Sequence, residues 1–293
     1  MVKESFMEQK SVGRSLGMFP NFLDFLVMAV WVSLAQILAV CLCRLCGLEF
    51  PDIALVNSAD DQISLSTQLA AAQSLAVMYP ISMGLSIAGV LIYRRLRGQR
   101  LKFKAWSKVG FDPSLLLSAF VLMVAIQVAI EPLTELMPEA PGMVGRGFFT
   151  VLVSVVFAPI FEEILCRGIL LESYRSKSGV WAALICSSLF FGIIHGHITA
   201  AFSATILGLV LGYAYIRTNS IFSVIILHAM NNGLALALMA FGLGESSFRD
   251  IFSSTELYWA VWAASLLVTI MGFAIMFRKL VLIRRKEKLP LQE

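Results

Sequence analysis

The sequence predicts an all-α membrane protein that crosses the bilayer about eight times, and three observations lead to this fold class. Charged residues make up only 14% of the chain, against about 25% in a typical soluble protein. Hydrophobic residues reach 58%, and the mean hydropathy is +0.82. Uncharged stretches recur along the whole chain, and a bilayer core needs about 20 apolar residues per helix. This composition excludes an ordinary soluble protein and a disordered chain.

The spans follow from the uncharged stretches, which lie at 25–43, 62–93, 114–130, 147–161, 178–216, 218–244 and 257–277. The stretch 178–216 is too long for one crossing, and His195-Gly196-His197 interrupts it near its middle, so we divide it into two helices. The predicted spans are therefore 21–47, 66–93, 113–130, 146–170, 180–195, 198–217, 220–243 and 256–277. The first uncharged run is longer than a signal-peptide core and is followed by no small-residue cleavage site, which predicts an uncleaved signal anchor.

The distribution of Lys and Arg supports this count, because basic residues collect in cytoplasmic loops. Nineteen of the 23 lie in the terminal segments and alternate loops that eight spans place on one side. Only Arg146 and Arg249 fall on the other side, while Arg44 and Arg167 lie within spans. Both termini are therefore predicted to face the cytoplasm.

The rest of the composition indicates one transmembrane domain over residues 1–293, with no cofactor. The five cysteines lie in or beside apolar spans, so they imply no disulfide framework. Cys41, Cys43 and Cys46 lack the two-pair spacing of a zinc site. The net charge of +4 follows topology and forms no basic face for nucleic acid. The bilayer is the partner that the sequence indicates, and the oligomeric state stays open.

Ionisable side chains are concentrated in a core of about residues 146–243. Each one inside a span costs on the order of 2.5–3.5 kcal/mol on insertion scales, so such groups usually face the bundle interior or an aqueous cavity. The fourth span carries Glu162, Glu163 and Arg167, and the three histidines, His195, His197 and His228, follow it. This concentration predicts a polar site inside the helix bundle. His197 has no partner at helical spacing, so we leave it out of that site.

Three pairs of residues stand four apart: Glu163 and Arg167, Phe191 and His195, and His228 and Asn232. Residues four apart share a helix face. The first pair can form an ion pair that leaves Glu162 free on an adjacent face. The other two pairs each present a polar group with a supporting neighbour, so three helices can converge on one pocket.

These side chains permit amide hydrolysis without a covalent intermediate. A carboxylate and an imidazole can deprotonate water, and a second imidazole N–H and an amide N–H can donate to the oxyanion of a tetrahedral intermediate. The sequence has no His-Glu-x-x-His helix, Gly-x-Gly-Asp motif or Gly-x-Ser-Gly turn. A Ser–His pair stays open, because serines are many. Metal ligation by Glu162, His195 and His228 is a further alternative.

In order and type, Glu162-Glu163-x-x-x-Arg167, Phe191-x-x-x-His195 and His228-x-x-x-Asn232 resemble the three signature motifs of the CPBP family. These are the CAAX-processing and bacteriocin-processing intramembrane endopeptidases, also called the ABI family. The resemblance covers residues about 158–232 and implies eight helices. It also implies a glutamate-type peptidase in which Glu162 and His195 activate water and His228 and Asn232 form the oxyanion hole. Glu163 and Arg167 would then be supporting residues, with no metal. Cys166 stands where the family motif commonly has an aromatic residue.

The resemblance further implies a membrane-associated substrate, either a peptide or a lipidated protein. The run Glu-Glu-Ile-Leu-Cys-Arg-Gly is more typical of prokaryotic than eukaryotic members, which favours a prokaryotic inner membrane. Two alternatives stay beside the glutamate-type endopeptidase. One is a non-enzymatic scaffold or bacteriocin-immunity protein that keeps the polar cluster for stability, and the other is a metal-dependent membrane protease.

The predicted depths of the candidate residues disagree. At about 1.5 Å per residue, Glu162 and His228 each lie roughly 12 Å from the inner ends of their spans, whereas His195 lies roughly 22 Å from its own. Either the fourth helix extends inward past Leu170, or the turn at 195–198 is buried at the depth of the site. We expect the buried turn, which Gly196 permits and which membrane proteins tolerate where backbone lines a cavity.

Overall fold

The computed structural model describes residues 19–48, 65–99, 111–138, 147–242 and 248–288. Within these ranges the chain is almost entirely helical and has no strand, which confirms the predicted fold class. A short 3-10 turn, Phe248–Ile251, precedes the last helix. The long helices, numbered in chain order, are α1 Phe22–Leu45, α2 Leu65–Leu96, α3 Pro113–Thr134, α4 Phe148–Ile193, α5 Ile198–Thr218, α6 Ile221–Ala240 and α7 Thr255–Lys288.

Seven of the described helices are long and apolar enough to cross a membrane, where the sequence predicts eight spans. The difference lies in α4, which joins the predicted fourth and fifth spans into one stretch of 46 residues. A straight helix of this length would measure roughly 69 Å, more than twice the thickness of a bilayer core. The backbone breaks at Gly179, whose φ of 80° favours glycine. This residue lies between the two predicted spans.

The break at Gly179 reverses the chain. The guanidinium carbon of Arg167 lies 4.5 Å from the centre of the Phe191 ring, although these residues are 24 positions apart on one helical stretch. Each is 12 positions from Gly179, so residues 148–178 (the first limb) and 180–193 (the second limb) lie side by side and antiparallel. The two limbs correspond to the predicted fourth and fifth spans, which the structure joins in one helical stretch.

Polar residues next to the helices in sequence cap several helix ends. Asp112 caps α3, its carboxylate accepting from the backbone N–H groups of Ser114 and Leu115, with Pro113 as the first helical residue. The Ser220 hydroxyl accepts from the Ser223 N–H and caps α6. Helices of apolar composition thus begin and end at defined residues.

A buried polar cluster joins three helices at the end of the bundle where Gly179 lies, here called the hairpin end. In this Asp24 cluster (Asn21, Asp24, Tyr93 and Arg97), Asn21 and Asp24 form a capping box at the start of α1. From α2, the Tyr93 hydroxyl donates to Asp24 Oδ1 at 2.7 Å and Arg97 Nε donates to the same oxygen at 2.8 Å. The Tyr174 hydroxyl of the first limb donates to the Asn21 carbonyl at 3.2 Å. These bonds tie α1, α2 and α4 together.

The apolar core lies between the two limbs of α4 and the helices α1, α3, α5 and α6. Its largest fully buried apolar side chains include Met28, Met123, Leu165, Phe190, Leu211 and Ile221. Most described side chains of α7 are exposed or half-buried, so this helix lies at the periphery. The central position of α4 places its polar residues inside the bundle.

Candidate active site

The two adjacent glutamates lie on a short α-helical turn of the first limb. Residues 152–157 and 164–171 on either side of it are π-helical, with wider turns than an α-helix. Glu163 is fully buried and Glu162 is 9% exposed. The turn Ala158–Glu163 therefore presents one carboxylate to the protein interior and a second one nearer to accessible space.

Pro159 explains a hydrogen bond that crosses from α6 to this region. In the π-helical segment, backbone N–H groups bond five residues back, as the Ala158 N–H does to the Val153 carbonyl. The next such bond would run from residue 159 to the Ser154 carbonyl, but proline has no N–H. Asn232 Nδ2 donates to that carbonyl instead, at 2.9 Å. The position of Pro159 thus gives the Asn232 amide an acceptor on α4.

Glu163 and Arg167 form the ion pair that their spacing predicts. Arg167 Nη1 donates to Glu163 Oε1 at 2.8 Å, and both side chains are fully buried. Arg167 Nη2 donates to the Gly208 carbonyl of α5 at 3.0 Å, and the guanidinium stacks on the Phe191 ring. This arginine therefore joins both limbs of α4 to α5.

His228 lies between the two glutamates. Its Nδ1 is 2.9 Å from Glu163 Oε1, and its Nε2 is 3.9 Å from Glu162 Oε2. Because Arg167 also donates to Glu163 Oε1, this carboxylate is an acceptor and Nδ1 of His228 carries a proton. The imidazole is thus fixed at one nitrogen, and its other nitrogen faces Glu162.

Glu162 is held from a helix outside the motif region. The Tyr79 hydroxyl of α2 donates to Glu162 Oε1 at 2.6 Å, the distance of a charge-assisted hydrogen bond. The sequence analysis did not identify Tyr79, which is 83 positions from its partner. The signal that the sequence offers is weak: a tyrosine beside Pro80 in an uncharged span.

His195 lies in the turn that follows the second limb, and its tautomer is defined by its surroundings. Nδ1 is 2.6 Å from the Phe191 carbonyl, which can only accept, so Nδ1 carries the proton and Nε2 keeps a free lone pair. The Phe191 ring lies edge-on to both imidazoles, 4.9 Å from the His195 ring centre and 5.5 Å from that of His228. One aromatic side chain thus separates and orients two histidines.

A cavity of about 170 Å³ brings His195, His228 and Asn232 together. Its wall also includes Asn231, which the sequence analysis did not include in the site. The Asn231 amide donates to Asn232 Oδ1 at 3.4 Å and accepts from Gln127 of α3 at 3.0 Å. The remaining lining residues are mostly apolar, and they are Met123, Phe191, Ala200, Ser203, Ala204, Leu207 and Leu211. Glu162 borders this space through His228 and is not itself a lining residue.

The disagreement in depth is resolved by the longer first limb. The fourth helix does extend past Leu170 as far as the break at Gly179, so Glu163 and His195 each stand 16 residues from that break. The favoured alternative, a turn buried at the site, was wrong. His195 and Gly196 are exposed, although Gly196 does make the turn with a φ of 71°.

Cys166 and His197, neither of which was predicted to belong to the site, lie outside this arrangement. Cys166 is a free, fully buried thiol on the π-helical segment that follows Glu163, and it does not line the cavity. His197 begins α5 and does not line the cavity either. Among the described residues, no group of three His, Cys, Asp or Glu side chains is arranged to hold a metal ion.

Comparison with known proteins identifies the same region. Residues 145–234 match the family model of the type II CAAX prenyl endopeptidases, Rce1-like. The chain is also 33% identical over 82 residues to the "Putative membrane peptidase YdiL" of Bacillus subtilis (strain 168), an alignment that spans 28% of this chain and 34% of that relative. No solved structure is significantly similar. The resemblance drawn from the three motifs is therefore confirmed for the motif-bearing segment.

Proposed function

We propose that this chain, whose residues 145–234 match the CAAX prenyl endopeptidases, is an intramembrane endopeptidase of the glutamate type. The observation that supports it most is the approach of Glu162 to His228, at 3.9 Å, beside a cavity that His195, His228 and Asn232 line. Two imidazoles and an amide then line one small space, and a carboxylate adjoins it through His228. This set of groups is suited to amide hydrolysis.

In the proposed reaction, Glu162 takes a proton from a water molecule as the water oxygen attacks the carbonyl carbon of the substrate. The new C–O bond gives a tetrahedral intermediate whose oxygen carries a negative charge. When the C–N bond breaks, the departing amine receives a proton from the acid that Glu162 has become. No cofactor enters this balance, and such proton transfer typically contributes about 10²–10⁴ in rate.

His195 is suited to assist with the water. Its Nδ1–H is engaged by the Phe191 carbonyl, so the Nε2 lone pair is the one that can accept a proton from the nucleophile. The Phe191 ring limits the positions of the imidazole. We therefore assign to His195 the orientation of the attacking water, from which Nε2 accepts a hydrogen bond while the proton is transferred to Glu162.

His228 and Asn232 are proposed to stabilise the oxyanion. With Nδ1–H directed to Glu163, a proton on Nε2 makes His228 an imidazolium, which balances the two glutamates together with Arg167. The Asn232 amide uses one N–H for the Ser154 carbonyl and has a second to donate. Glu163 and Arg167 act through His228 as positioning residues.

The cavity suits a substrate that reaches the protein from the bilayer. Its wall is mostly apolar apart from the histidines, asparagines and Ser203. We propose a membrane-associated, prenylated or exported peptide as substrate. We further propose a prokaryotic cell membrane as the location, with both termini in the cytoplasm, because the basic residues collect on that side.

The experiment that tests this function compares membranes containing the wild type with membranes containing Glu162→Gln. Uncleaved membrane-associated peptides should accumulate in the variant, and Glu256→Gln, at an exposed carboxylate, should behave as the wild type. Cleavage should fall by at least a hundredfold while insertion and thermal unfolding stay unchanged. An identical peptide population in the two membranes would contradict the glutamate mechanism and favour the scaffold or immunity role.

Two further measurements separate the remaining mechanisms. Ser203 lines the same cavity as both histidines, so Ser203→Ala tests a serine nucleophile, and we expect cleavage within twofold of the wild type. Chelation should likewise leave cleavage unchanged. Loss of activity that added metal restores would favour a metal-dependent protease.

A further inference from the structure

The strongest feature outside the motif-bearing segment is the hydrogen bond from Tyr79 to Glu162. Tyr79 belongs to α2, far from residues 145–234 in the chain, yet its hydroxyl lies 2.6 Å from Glu162 Oε1. The Tyr79 ring also packs edge-on against Phe161, with ring centres 6.4 Å apart. Both the ring and the hydroxyl of one residue therefore contact the turn that carries the two glutamates.

We propose that Tyr79 is a positioning residue that sets the rotation of the Glu162 carboxylate, an inference that rests on the proposed function. The terminal torsion of a glutamate is broad, so packing alone does not fix where its two oxygens point. The tyrosine O–H holds Oε1. The other oxygen, Oε2, is then the one that faces His228 at 3.9 Å.

This division of the two oxygens has a chemical consequence. A general base must present a lone pair to the water that it deprotonates, within about 2.6–3.2 Å. With Oε1 occupied by a strong donor, proton transfer to Glu162 takes place at Oε2, on the side of His228 and the cavity. Without the hydroxyl, the carboxylate can turn, and the productive orientation becomes one of several.

The chain supplies a matched control on the same helix. Tyr93 of α2 donates its hydroxyl to Asp24 Oδ1 at 2.7 Å, nearly the same bond at the hairpin end. Tyr79→Phe and Tyr93→Phe each remove one phenol oxygen and keep the ring. They differ in which carboxylate loses its donor.

For Tyr79→Phe we expect kcat to fall about tenfold, in line with the loss of one hydrogen bond to a charged group, with KM within twofold of the wild type. Tyr93→Phe should leave kcat unchanged and lower the thermal unfolding temperature instead. Incorporation of 3-fluorotyrosine at position 79 retains the donor and should restore kcat. A kcat for Tyr79→Phe within twofold of the wild type would overturn the proposal.

An infrared measurement tests the contact without depending on cleavage. The difference spectrum between wild type and Tyr79→Phe should contain a shifted carboxylate band, and that band should vanish when both proteins also carry Glu162→Gln. A band that persists in the Glu162→Gln background would assign the hydroxyl to another acceptor and refute the inference. If the band behaves as expected in a protein that cleaves nothing, the positioning role stands and the proposed function fails.

Discussion

Two buried carboxylate clusters occupy different levels of this bundle and are built from similar parts. Each contains an aspartate or glutamate, an arginine and a tyrosine hydroxyl from α2. In the Asp24 cluster, both carboxylate oxygens accept hydrogen bonds, from a backbone N–H, Tyr93 and Arg97. In the Glu162 cluster (Tyr79, Glu162, Glu163, Arg167 and His228), Glu163 Oε2 and Arg167 Nε are buried with no hydrogen-bond partner among the described residues.

The difference teaches what separates a structural polar group from a candidate site. The Asp24 cluster joins helix ends and has one carboxylate for one arginine. The Glu162 cluster has two carboxylates and a histidine, and it borders a cavity. Buried polar groups are normally paired, so the unpaired atoms of Glu163 and Arg167 distinguish the Glu162 cluster from the Asp24 cluster, in which both carboxylate oxygens accept hydrogen bonds.

The largest effect should come from the two arginines. Arg167→Met removes the partner of a fully buried carboxylate, and breaking a buried pair typically costs about 3–5 kcal/mol in the free energy of unfolding. Arg97→Met should cost less, because the Arg97 side chain is 8% exposed and the capping box continues to hold Asp24. Denaturant unfolding in detergent measures both. Equal losses would mean that the two clusters have the same structural role.

The next contrast pairs two asparagines. Asn232→Ala should lower kcat about a hundredfold, the usual result of removing one oxyanion donor. Asn21→Ala removes the cap of α1 and should cost about 1 kcal/mol of stability with kcat unchanged. Steady-state kinetics and thermal unfolding of both variants provide the check. A silent Asn232→Ala would exclude this amide from the oxyanion hole.

Pro159→Ala should have a smaller effect than either of these changes, and the effect should be confined to the Glu162 cluster. A backbone N–H at residue 159 can bond to the Ser154 carbonyl and displace the Asn232 amide. We expect kcat to fall several-fold while the unfolding temperature stays the same or rises. A matched change at another helical proline, Pro132→Ala in α3, should leave kcat unaffected. An unaltered kcat in Pro159→Ala would show that Asn232 does not need this acceptor.

The smallest effect concerns a carboxylate outside the membrane-spanning segments. Hydrogen bonds from the Ser114 side chain and the Leu115 backbone N–H hold the pKa of Asp112 below its usual value of 3.8. A carboxyl whose pKa is lower in the folded state stabilises the protein above the unfolded pKa, and this stabilisation is lost as pH falls through the folded pKa. Asp112→Asn should therefore remove a small part of the acid sensitivity below about pH 4, measured as unfolding temperature against pH. A pH dependence identical to that of the wild type would show that Asp112 does not contribute to the acid sensitivity.

The sequence was sufficient for the spans and for the local pairs, since both depend on neighbours along the chain. Hydropathy located the helices within a few residues, apart from the continuity of α4 and the end of α7, which lies 11 residues past its predicted position. The spacing of Glu163 and Arg167 predicted their ion pair, because residues four apart share a helix face. His195, His228 and Asn232, from two of the three helices expected to converge, line one cavity, and the limb that carries Glu162 is not part of its lining.

What sequence reasoning missed depends on contacts between distant helices. Tyr79 and Glu162 meet because of how α2 packs on α4, and no periodicity in either helix encodes that packing. Asp24 lies in the first predicted span and Arg97 lies beyond the second, so their buried ion pair was not predicted. The prediction of the depth of His195 was wrong for a different reason. The end of the fourth span was placed at the first charged residues after it, although the helix continues to Gly179.

Because the chain reverses at Gly179, the number of residues between Glu163 and His195 is constrained. Glu163 and His195 stand an equal count of residues from Gly179, so their common level is fixed by arithmetic within one hairpin rather than by a loop. Deleting a single residue from either limb would rotate one of them by about 100° around its axis and shift it by about 1.5 Å. Loops elsewhere can lengthen at little cost, but an insertion or deletion between these two positions moves the turn that carries both glutamates relative to His195.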